Sequence, residues 1–422
     1  MVHQTIRTRM TRAARASAIN SHMGRGWIWA AWWSIVGALS GCAGLLPTQT
    51  PAPVEQRQPA PAPAAAAPSP SPATTAAPPS TPAPSRGTPP DRVRARWISA
   101  AWSELPGFDA DRSAELWPAL LAGCARPAPG WSELCARALL DPPDGSAAAR
   151  RWLQTHLQPW RVEAPDGNVE GLATGYFEPS IDAARRPRAG FRVPLYVPPP
   201  ELATRRPFYT RQQLDTLPAA LASLRGQEIA WIEDPLDAML LQVQGSGRLR
   251  ITEPDGSVNL VRLAFAAHND QPFRSLGRWL IEQGELTADS ASWPAIKAWA
   301  QRNPRRLQEL LWANPRVVFF REEPLPDPAV GPRGAQGVPL TPGRSIAVDP
   351  LAIPHGAVVW LDTTEPLSNT PLRRLVMAQD SGSAITGAVR ADLFFGWTRQ
   401  AETLAGRMKQ PLRLWVLWPR GD

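Results

Sequence analysis

Two aspartates near the C-terminus, Asp380 and Asp392, constrain this chain more than any other feature. Small residues fill most of the segment between them, and apolar runs at residues 375–377 and 393–395 lie just outside it. Apolar runs of this kind favour buried strands, which have no structural need of carboxylates. The pattern therefore predicts carboxyl groups at the ends of core strands, where burial raises a carboxyl pKa. The same residues also fit two aspartates that cap turns, and their spacing alone does not decide.

Residues 1–41 have the organisation of a bacterial lipoprotein signal peptide. Residues 1–25 contain five arginines and no acidic residue, and the apolar segment at 27–39 is too short to span a bilayer as a helix. The segment ends in Leu39-Ser40-Gly41-Cys42, which resembles a lipobox, so we expect cleavage before Cys42 and lipidation of its thiol. Ala43 follows, which by resemblance to lipoprotein sorting in enteric bacteria favours the outer membrane. The expected location is the periplasm, with a lipid anchor in the outer membrane.

Residues 42–90 are expected to form a tether. From residue 47 onwards they are nearly all Pro, Ala, Ser and Thr. Such a composition cannot bury a core and stays extended, close to polyproline II. The tether would hold the folded part, from about residue 91, away from the membrane.

The composition argues against several functional classes. The net charge of +8 includes the signal-peptide arginines, and the chain has no clustered basic stripe, so nucleic acid is not expected as a partner. The five histidines include no His-x-x-x-His pair, so a zinc hydrolase is not expected. So few histidines, with no Gly-x-Ser-x-Gly nucleophile elbow, leave little scope for Ser-His-Asp catalysis. We expect neither a metal nor a cofactor. Cys124 and Cys135 are candidates for a disulfide in an oxidising periplasm, and the sequence leaves that pairing open.

The order of elements predicts a barrel interrupted by a second domain. Residues 109–157 have helical periodicity and form a small helical preface. Strand-like segments follow between 160 and 197 and again from 317 to 417, and the part between them includes a helix over 211–225 and a strand over 239–244. Short strands with Gly and Pro between them favour a small closed barrel. A barrel built from both ends of the folded chain would form a cleft against the inserted domain, and such clefts commonly hold active sites.

Acid chemistry by carboxylates is what this chain can support. Asp380-Ser381-Gly382 resembles the Asp-Ser/Thr-Gly of aspartic proteases, but that reaction needs two such aspartates and the chain has one copy. A glycosidase needs an acid for the leaving oxygen and usually a second carboxylate at a defined distance, which a sequence does not give. Glu178 fits either a position in a cleft or an ion pair with Arg185 or Arg186.

Several segments together resemble the membrane-bound lytic murein transglycosylase A family, in family order over about residues 165–418. They are Gly175-Tyr176-Phe177-Glu178-Pro179, Val193-Pro194-Leu195-Tyr196, residues 242–247 (QVQGSG), residues 275–286 (SLGRWLIEQGEL), residues 314–320 (NPRVVFF) and the stretch around Asp380 and Asp392. The resemblance implies a mainly β fold with α elements. It consists of a double-psi β-barrel domain at 91–196 and 325–421, with a 3D domain in its C-terminal part, and an inserted β-rich domain at 197–324.

The resemblance also implies a function and a set of site residues. The family cleaves the β-1,4 bond between N-acetylmuramic acid and N-acetylglucosamine in peptidoglycan without water and leaves a 1,6-anhydro ring. Asp392 takes the catalytic position as acid and then base, Asp380 supports it or holds a turn, and Asp349 is expected to be structural. Tyr176, Glu178, Gln244 and Ser246 are carried over loosely as residues of the glycan groove. The expected partners are glycan strands and the membrane, and the alternative is a non-catalytic peptidoglycan-binding lipoprotein on the same fold.

Overall fold

The computed structural model describes residues 92–420. The predicted signal peptide, Cys42 and the tether lie outside the described residues. No helix between residues 92 and 420 is long and apolar enough to cross a bilayer.

Fourteen strands and ten α-helices occur within residues 92–420. The strands are β1 Arg96–Ser99, β2 Leu157–Glu163, β3 Gly171–Tyr176, β4 Ser180–Ala184, β5 Val193–Tyr196, β6 Glu228–Ile232, β7 Ser246–Thr252, β8 Val258–His268, β9 Val318–Pro324, β10 Ser345–Val348, β11 Val358–Thr364, β12 Pro371–Asp380, β13 Arg390–Phe394 and β14 Lys409–Pro419. The helices are α1 Trp117–Gly123, α2 Ser132–Leu140, α3 Gly145–His156, α4 Arg211–Thr216, α5 Pro218–Leu224, α6 Pro235–Gln244, α7 Leu276–Glu282, α8 Trp293–Arg302, α9 Leu307–Trp312 and α10 Arg399–Ala405. Short 3-10 helices cover Trp102–Glu104, Phe108–Ala110, Ser113–Leu116, Pro200–Ala203 and Pro304–Arg306.

Six of these strands close into a barrel. Their order is β14–β11–β12–β10–β13–β3, and β3 pairs with β14 to complete the ring. The β10–β12 and β13–β3 pairs are parallel, and the other pairs of the ring are antiparallel. β2 adds to β14, and β1 adds to β2. The barrel predicted from short, closely spaced strands is confirmed, and it uses both ends of the described chain.

The apolar residues next to the aspartates form the barrel core. Leu375 and Val376 on β12, Phe394 on β13 and Trp360 on β11 are fully buried. The interior of a small barrel is filled by side chains rather than by solvent. Burying each large apolar side chain contributes roughly 1.5–3 kcal/mol, so the strands that carry Asp380 and Asp392 are firmly held.

The other six strands form a second sheet in the order β5–β6–β4–β7–β8–β9. A separate apolar cluster around the buried Trp299 joins α6, α7, α8 and α9. β4 and β5 precede residue 197 and pair within this second sheet. The domain boundaries expected at residues 196 and 324 stay a prediction.

The strand predicted over 239–244 is wrong, since these residues form the C-terminal part of α6. Asp234 caps the helix by accepting the Leu236 N–H at 2.8 Å, and Pro235 occupies its first turn. Gly245 ends the helix in the left-handed conformation at φ 78°. The run around Met239 is buried almost throughout, which hid its helical period.

Two further helical predictions are confirmed in outline. The helix predicted over 211–225 is divided into α4 and α5 at Leu217, because Pro218 begins a new helix there. The helical preface is present as α1, α2 and α3. Cys124 follows α1, Cys135 lies in α2, and a disulfide joins them with their Cα atoms 5.3 Å apart.

Candidate active site

The two predicted aspartates flank a single residue of the barrel. β10 lies between β12 and β13, and Ala347 on β10 pairs with Asp380 on one side and with Asp392 on the other. Neighbouring strands are about 4.8 Å apart, which puts the two aspartate Cα atoms roughly 10 Å apart. The register of the β10–β12 pair shifts between Ile346 and Ala347, and the two aspartates are near enough for the charge of Asp380 to act on the pKa of Asp392.

Asp392 is partly buried and has one hydrogen-bonded carboxyl oxygen. The Thr174 hydroxyl donates to Oδ1 of Asp392 at 2.6 Å, and Nη2 of Arg390 donates to that hydroxyl at 2.8 Å. The pKa of Asp392 is raised to about 6, mainly by burial. The Thr174 hydrogen bond and the Arg390 charge lower this pKa, and the charge of Asp380 raises it further. A carboxyl group with this pKa can give up and take back a proton near neutral pH.

Asp380 has hydrogen bonds on both of its oxygens. The Tyr176 hydroxyl donates to Oδ2 at 2.9 Å, and the backbone N–H groups of Ala335 and Ser381 each donate to Oδ1 at 2.9 Å. Burial raises the pKa of Asp380, and these hydrogen bonds act in the opposite direction. Three donors fix the orientation of this carboxyl group.

The loop that donates to Asp380 is supported from the helical preface. At Gly334 a Cβ would lie 2.4 Å from the backbone oxygen of the residue before Asp380, so only glycine allows this approach. Two residues later, Nε2 of Gln336 donates to the carbonyl oxygens of Gly123 and Arg126 at 3.1 and 2.8 Å. These carbonyls lie at the end of α1, beside the disulfide, which therefore helps to hold the loop against Asp380.

Tyr176 lies in the same cluster as the two aspartates. It follows Thr174 by two residues on β3, and alternate residues of a strand share a face. Its ring packs on Phe394 with the ring centres 5.2 Å apart. Burial and the neighbouring Asp380 hold the pKa of Tyr176 well above its ordinary value, so its hydroxyl remains a donor.

Sequence reasoning missed Thr174, Arg390 and Ala335. A local signal existed for the first two, because Thr174 precedes Tyr176, and Arg390 precedes Asp392, by the two-residue period of a strand. The parallel pairing of β3 with β13, which brings Thr174 opposite Asp392, joins segments 218 residues apart and has no local signal.

The hydrogen bonds of Asp349 are made to groups other than Asp380 and Asp392, and its structural role stays a prediction. Its side chain is buried, and Oδ2 accepts hydrogen bonds from Arg94 at 2.9 Å and from the Gly387 N–H at 2.8 Å. Oδ1 accepts the Leu351 N–H at 3.0 Å. Although burial acts in the opposite direction, these bonds lower the pKa of Asp349.

Both readings of Glu178 require correction. Its side chain is 0% exposed, so its carboxyl group faces other protein groups and not solvent. Its partners are Arg248, whose Nε donates to Oε2 at 2.7 Å, and Arg262, whose Nε donates to Oε1 at 2.6 Å. Arg185 instead pairs with Glu253 and Glu322.

The ion triad of Glu178, Arg248 and Arg262 links the barrel to the second sheet. The Glu178 N–H donates to the carbonyl of Gly396, which lies just after β13, while the two arginines lie on β7 and β8. The remaining predicted groove residues lie near this connection. Gln244 ends α6 and accepts the Phe177 N–H at 3.0 Å, and Ser246 begins β7 opposite Ala264.

The geometry supports acid and base chemistry by one carboxyl group beside a second, fixed one. Within residues 92–420, Thr174 donates to one oxygen of Asp392 and no side chain or backbone group donates to the other. Asp380, in contrast, is committed to three donors. Asp392 can therefore exchange a proton with a bound molecule, and Asp380 can act through its charge.

Comparisons with known proteins agree with this architecture. Residues 172–321 match the MltA specific insert domain and residues 344–418 match the 3D domain. The membrane-bound lytic murein transglycosylase A of Vibrio cholerae is 32% identical over 60% of this chain and 66% of its own length, just under two thirds. The Escherichia coli K12 protein of the same name is 31% identical over 64% of this chain and 71% of its own length.

Solved structures show the same fold. The lytic transglycosylase LtgG of Burkholderia pseudomallei is 43% identical, with a TM-score of 0.54 over 80% of this chain and 99% of that chain. E. coli MltA with bound chitohexaose is 25% identical, with a TM-score of 0.60 over 80% of this chain and 96% of that chain. The predicted fold class is confirmed. The chain belongs to the membrane-bound lytic murein transglycosylase A family, and by that membership it is a peptidoglycan lytic transglycosylase.

Proposed function

We propose that this protein cleaves the β-1,4 bond between N-acetylmuramic acid and N-acetylglucosamine, with Asp392 as the single acid and base and a 1,6-anhydromuramic acid as product. The observation that carries the proposal is the carboxyl group of Asp392, whose pKa burial raises to about 6. An ordinary exposed aspartate, with a pKa of about 3.9, would be almost fully ionised at neutral pH and could not donate.

The reaction has two proton transfers and consumes no water. Protonated Asp392 donates to the glycosidic oxygen as the bond from that oxygen to C1 of the muramic sugar breaks, which leaves Asp392 ionised. The C6 hydroxyl of the same sugar then attacks C1, and its proton passes to Asp392. The attack is intramolecular, so proximity replaces an activated water, and the acid is restored for the next cycle.

Asp380 is proposed to stabilise positive charge that develops at C1. Its carboxyl oxygens already accept hydrogen bonds from Tyr176, Ala335 and Ser381, which supports a fixed electrostatic role rather than nucleophilic attack. Donors that are already in position need no reorganisation during the reaction.

Glycan strands are the proposed partner, and Tyr176, Gln244 and Ser246 remain proposed groove residues. The chitohexaose bound to the E. coli relative supports a glycan ligand for this fold.

The protein is also proposed to be anchored in the outer membrane, facing the periplasm, through a lipid on Cys42. The sequence around Cys42 supports this. In cells that produce Cys42→Ala, the protein should leave the membrane fraction, and its retention there would contradict the anchor.

Digestion of purified sacculi, followed by mass spectrometry, tests the function. Wild type should release anhydromuropeptides, and Asp392→Asn should release none. Products with reducing ends would identify a hydrolase instead. No product from folded wild type would indicate a binding protein on the same fold.

A further inference from the structure

The hydroxyl group of Thr174 lies between a cation and the proposed acid. Nη2 of Arg390 is 2.8 Å from Oγ1 of Thr174, and that oxygen is 2.6 Å from Oδ1 of Asp392. Arg390 and Asp392 are two residues apart on β13, and Thr174 pairs with Asp392 from β3. The three groups therefore share one face of two paired strands.

Arg390, Thr174 and Asp392 form a row of hydrogen-bonded groups, and the hydrogen bonds in this row have a fixed direction. An arginine has donors only, so the Thr174 oxygen must accept from Arg390. A hydroxyl has one proton, and among the described residues Oδ1 of Asp392 is the acceptor within its reach. The Thr174 proton therefore points at Oδ1, which must accept it. A proton on Oδ1 itself would face this donor and leave the hydroxyl proton without a partner.

We infer that Arg390 and Thr174 are positioning residues that keep Oδ1 of Asp392 unprotonated, so that Oδ2 carries the proton delivered to the glycosidic oxygen. The inference rests on the proposed role of Asp392. In the first step the Oδ2–H bond breaks and a bond from hydrogen to the glycosidic oxygen forms. In the second step the same Oδ2 takes the proton of the C6 hydroxyl, while Thr174 stabilises the anion through Oδ1.

The row also sets where Asp392 titrates. Asp380 raises the pKa of Asp392, whereas Arg390 and the Thr174 hydrogen bond lower it. Tyr176 is protonated throughout the working range, and His355, which lies beside Asp380, has a pKa lowered by burial. Without the row, burial would hold Asp392 protonated to higher pH, and the second step, which needs the anion, would slow.

The test compares Thr174→Val, which has the same shape without a hydroxyl, with Thr174→Ser, which restores the hydroxyl. Turnover of soluble glycan strands is measured from pH 4.5 to 8.5. Loss of the hydrogen bond to the ionised carboxylate should raise the pKa of Asp392, so the alkaline limb of the kcat profile should lie about one pH unit higher in Thr174→Val. The kcat of this variant should be lower by roughly ten- to a hundredfold. Thr174→Ser should recover most of both, and Arg390→Gln should move the limb in the same direction as Thr174→Val.

Thr363→Val is the matched control, since the Thr363 hydroxyl donates to a backbone carbonyl on β14 at 2.6 Å, outside the site. It should leave the pH profile of kcat in place. A Thr174→Val enzyme with the wild-type profile, or a Thr174→Ser enzyme as impaired as Thr174→Val, would overturn the inference. Asp392→Asn in the same assay separates the proposed role of Asp392 from the inferred role of Thr174 and Arg390. An active Asp392→Asn enzyme would refute the proposed function. An inactive Asp392→Asn enzyme together with an unshifted pH profile of Thr174→Val would refute only the role of Thr174 and Arg390.

Discussion

Replacing Asp392 by Asn should stabilise the protein, and more so as the pH rises. In the folded protein the pKa of Asp392 is about 6, whereas in the unfolded chain it is about 3.9. A carboxyl whose folded pKa is raised costs stability once it ionises, because the unfolded chain gives up the proton more easily. From these two values, ionisation costs the wild type about 1 kcal/mol at pH 4.5 and about 3 kcal/mol at pH 7.5. Asparagine does not ionise, and it keeps an oxygen that can accept from Thr174.

Urea unfolding of wild type and Asp392→Asn at pH 4.5 and pH 7.5 measures this difference. The gain in the free energy of unfolding should be about 2 kcal/mol larger at the higher pH. Asp349→Asn is a control with the opposite sign, because the folded pKa of Asp349 is lowered and its stabilisation is present above the unfolded pKa. That variant should lose stability at pH 7.5. An Asp392→Asn protein that is no more stable than wild type at pH 7.5 would refute the reasoning.

Three further predictions concern activity and the ion triad. Because the acid must be protonated, kcat should fall about tenfold for each pH unit above an alkaline limb near pH 6. An alkaline limb above pH 8 in the rate of product release would contradict the assignment of Asp392 as the acid. Glu178→Ala leaves two buried arginines without their carboxylate and should lower the free energy of unfolding by about 3–5 kcal/mol. Asp182→Ala, which breaks an exposed ion pair with Arg250, should lower it far less. Equal losses of the two variants in urea unfolding would contradict the stabilising role of the ion triad. Tyr176→Phe removes a donor from Asp380 but keeps the ring on Phe394, so kcat should fall roughly tenfold. The urea midpoint should fall only modestly, because one buried hydrogen bond is lost and the ring packing is kept. An unchanged kcat would count against Asp380 as a catalytic support.

The sequence was informative where the determinants of structure are local. Apolar runs beside Asp380 and Asp392 indicated buried strands, and the structure has β12 and β13 there. It misled at 239–244, where a buried apolar run fits a strand or a helix, although Asp234, Pro235 and Gly245 are helix-boundary signals.

Partners across the fold were beyond sequence reasoning. The sequence offers Glu178 a position in a cleft or an ion pair with arginines a few residues away, while its partners Arg248 and Arg262 lie 70 and 84 residues further along the chain. The same limit hid Thr174, because strand register between distant segments depends on the closed barrel and not on any local pattern.

One carboxyl group, that of Asp392, is proposed to cleave the glycan without water. Digestion of sacculi by wild type in water enriched in heavy oxygen, with mass spectrometry of the muropeptides, tests this proposal most directly. The expected products are anhydromuropeptides with no heavy oxygen at C1 of the muramic sugar. Reducing-end products that carry heavy oxygen at C1 would contradict it.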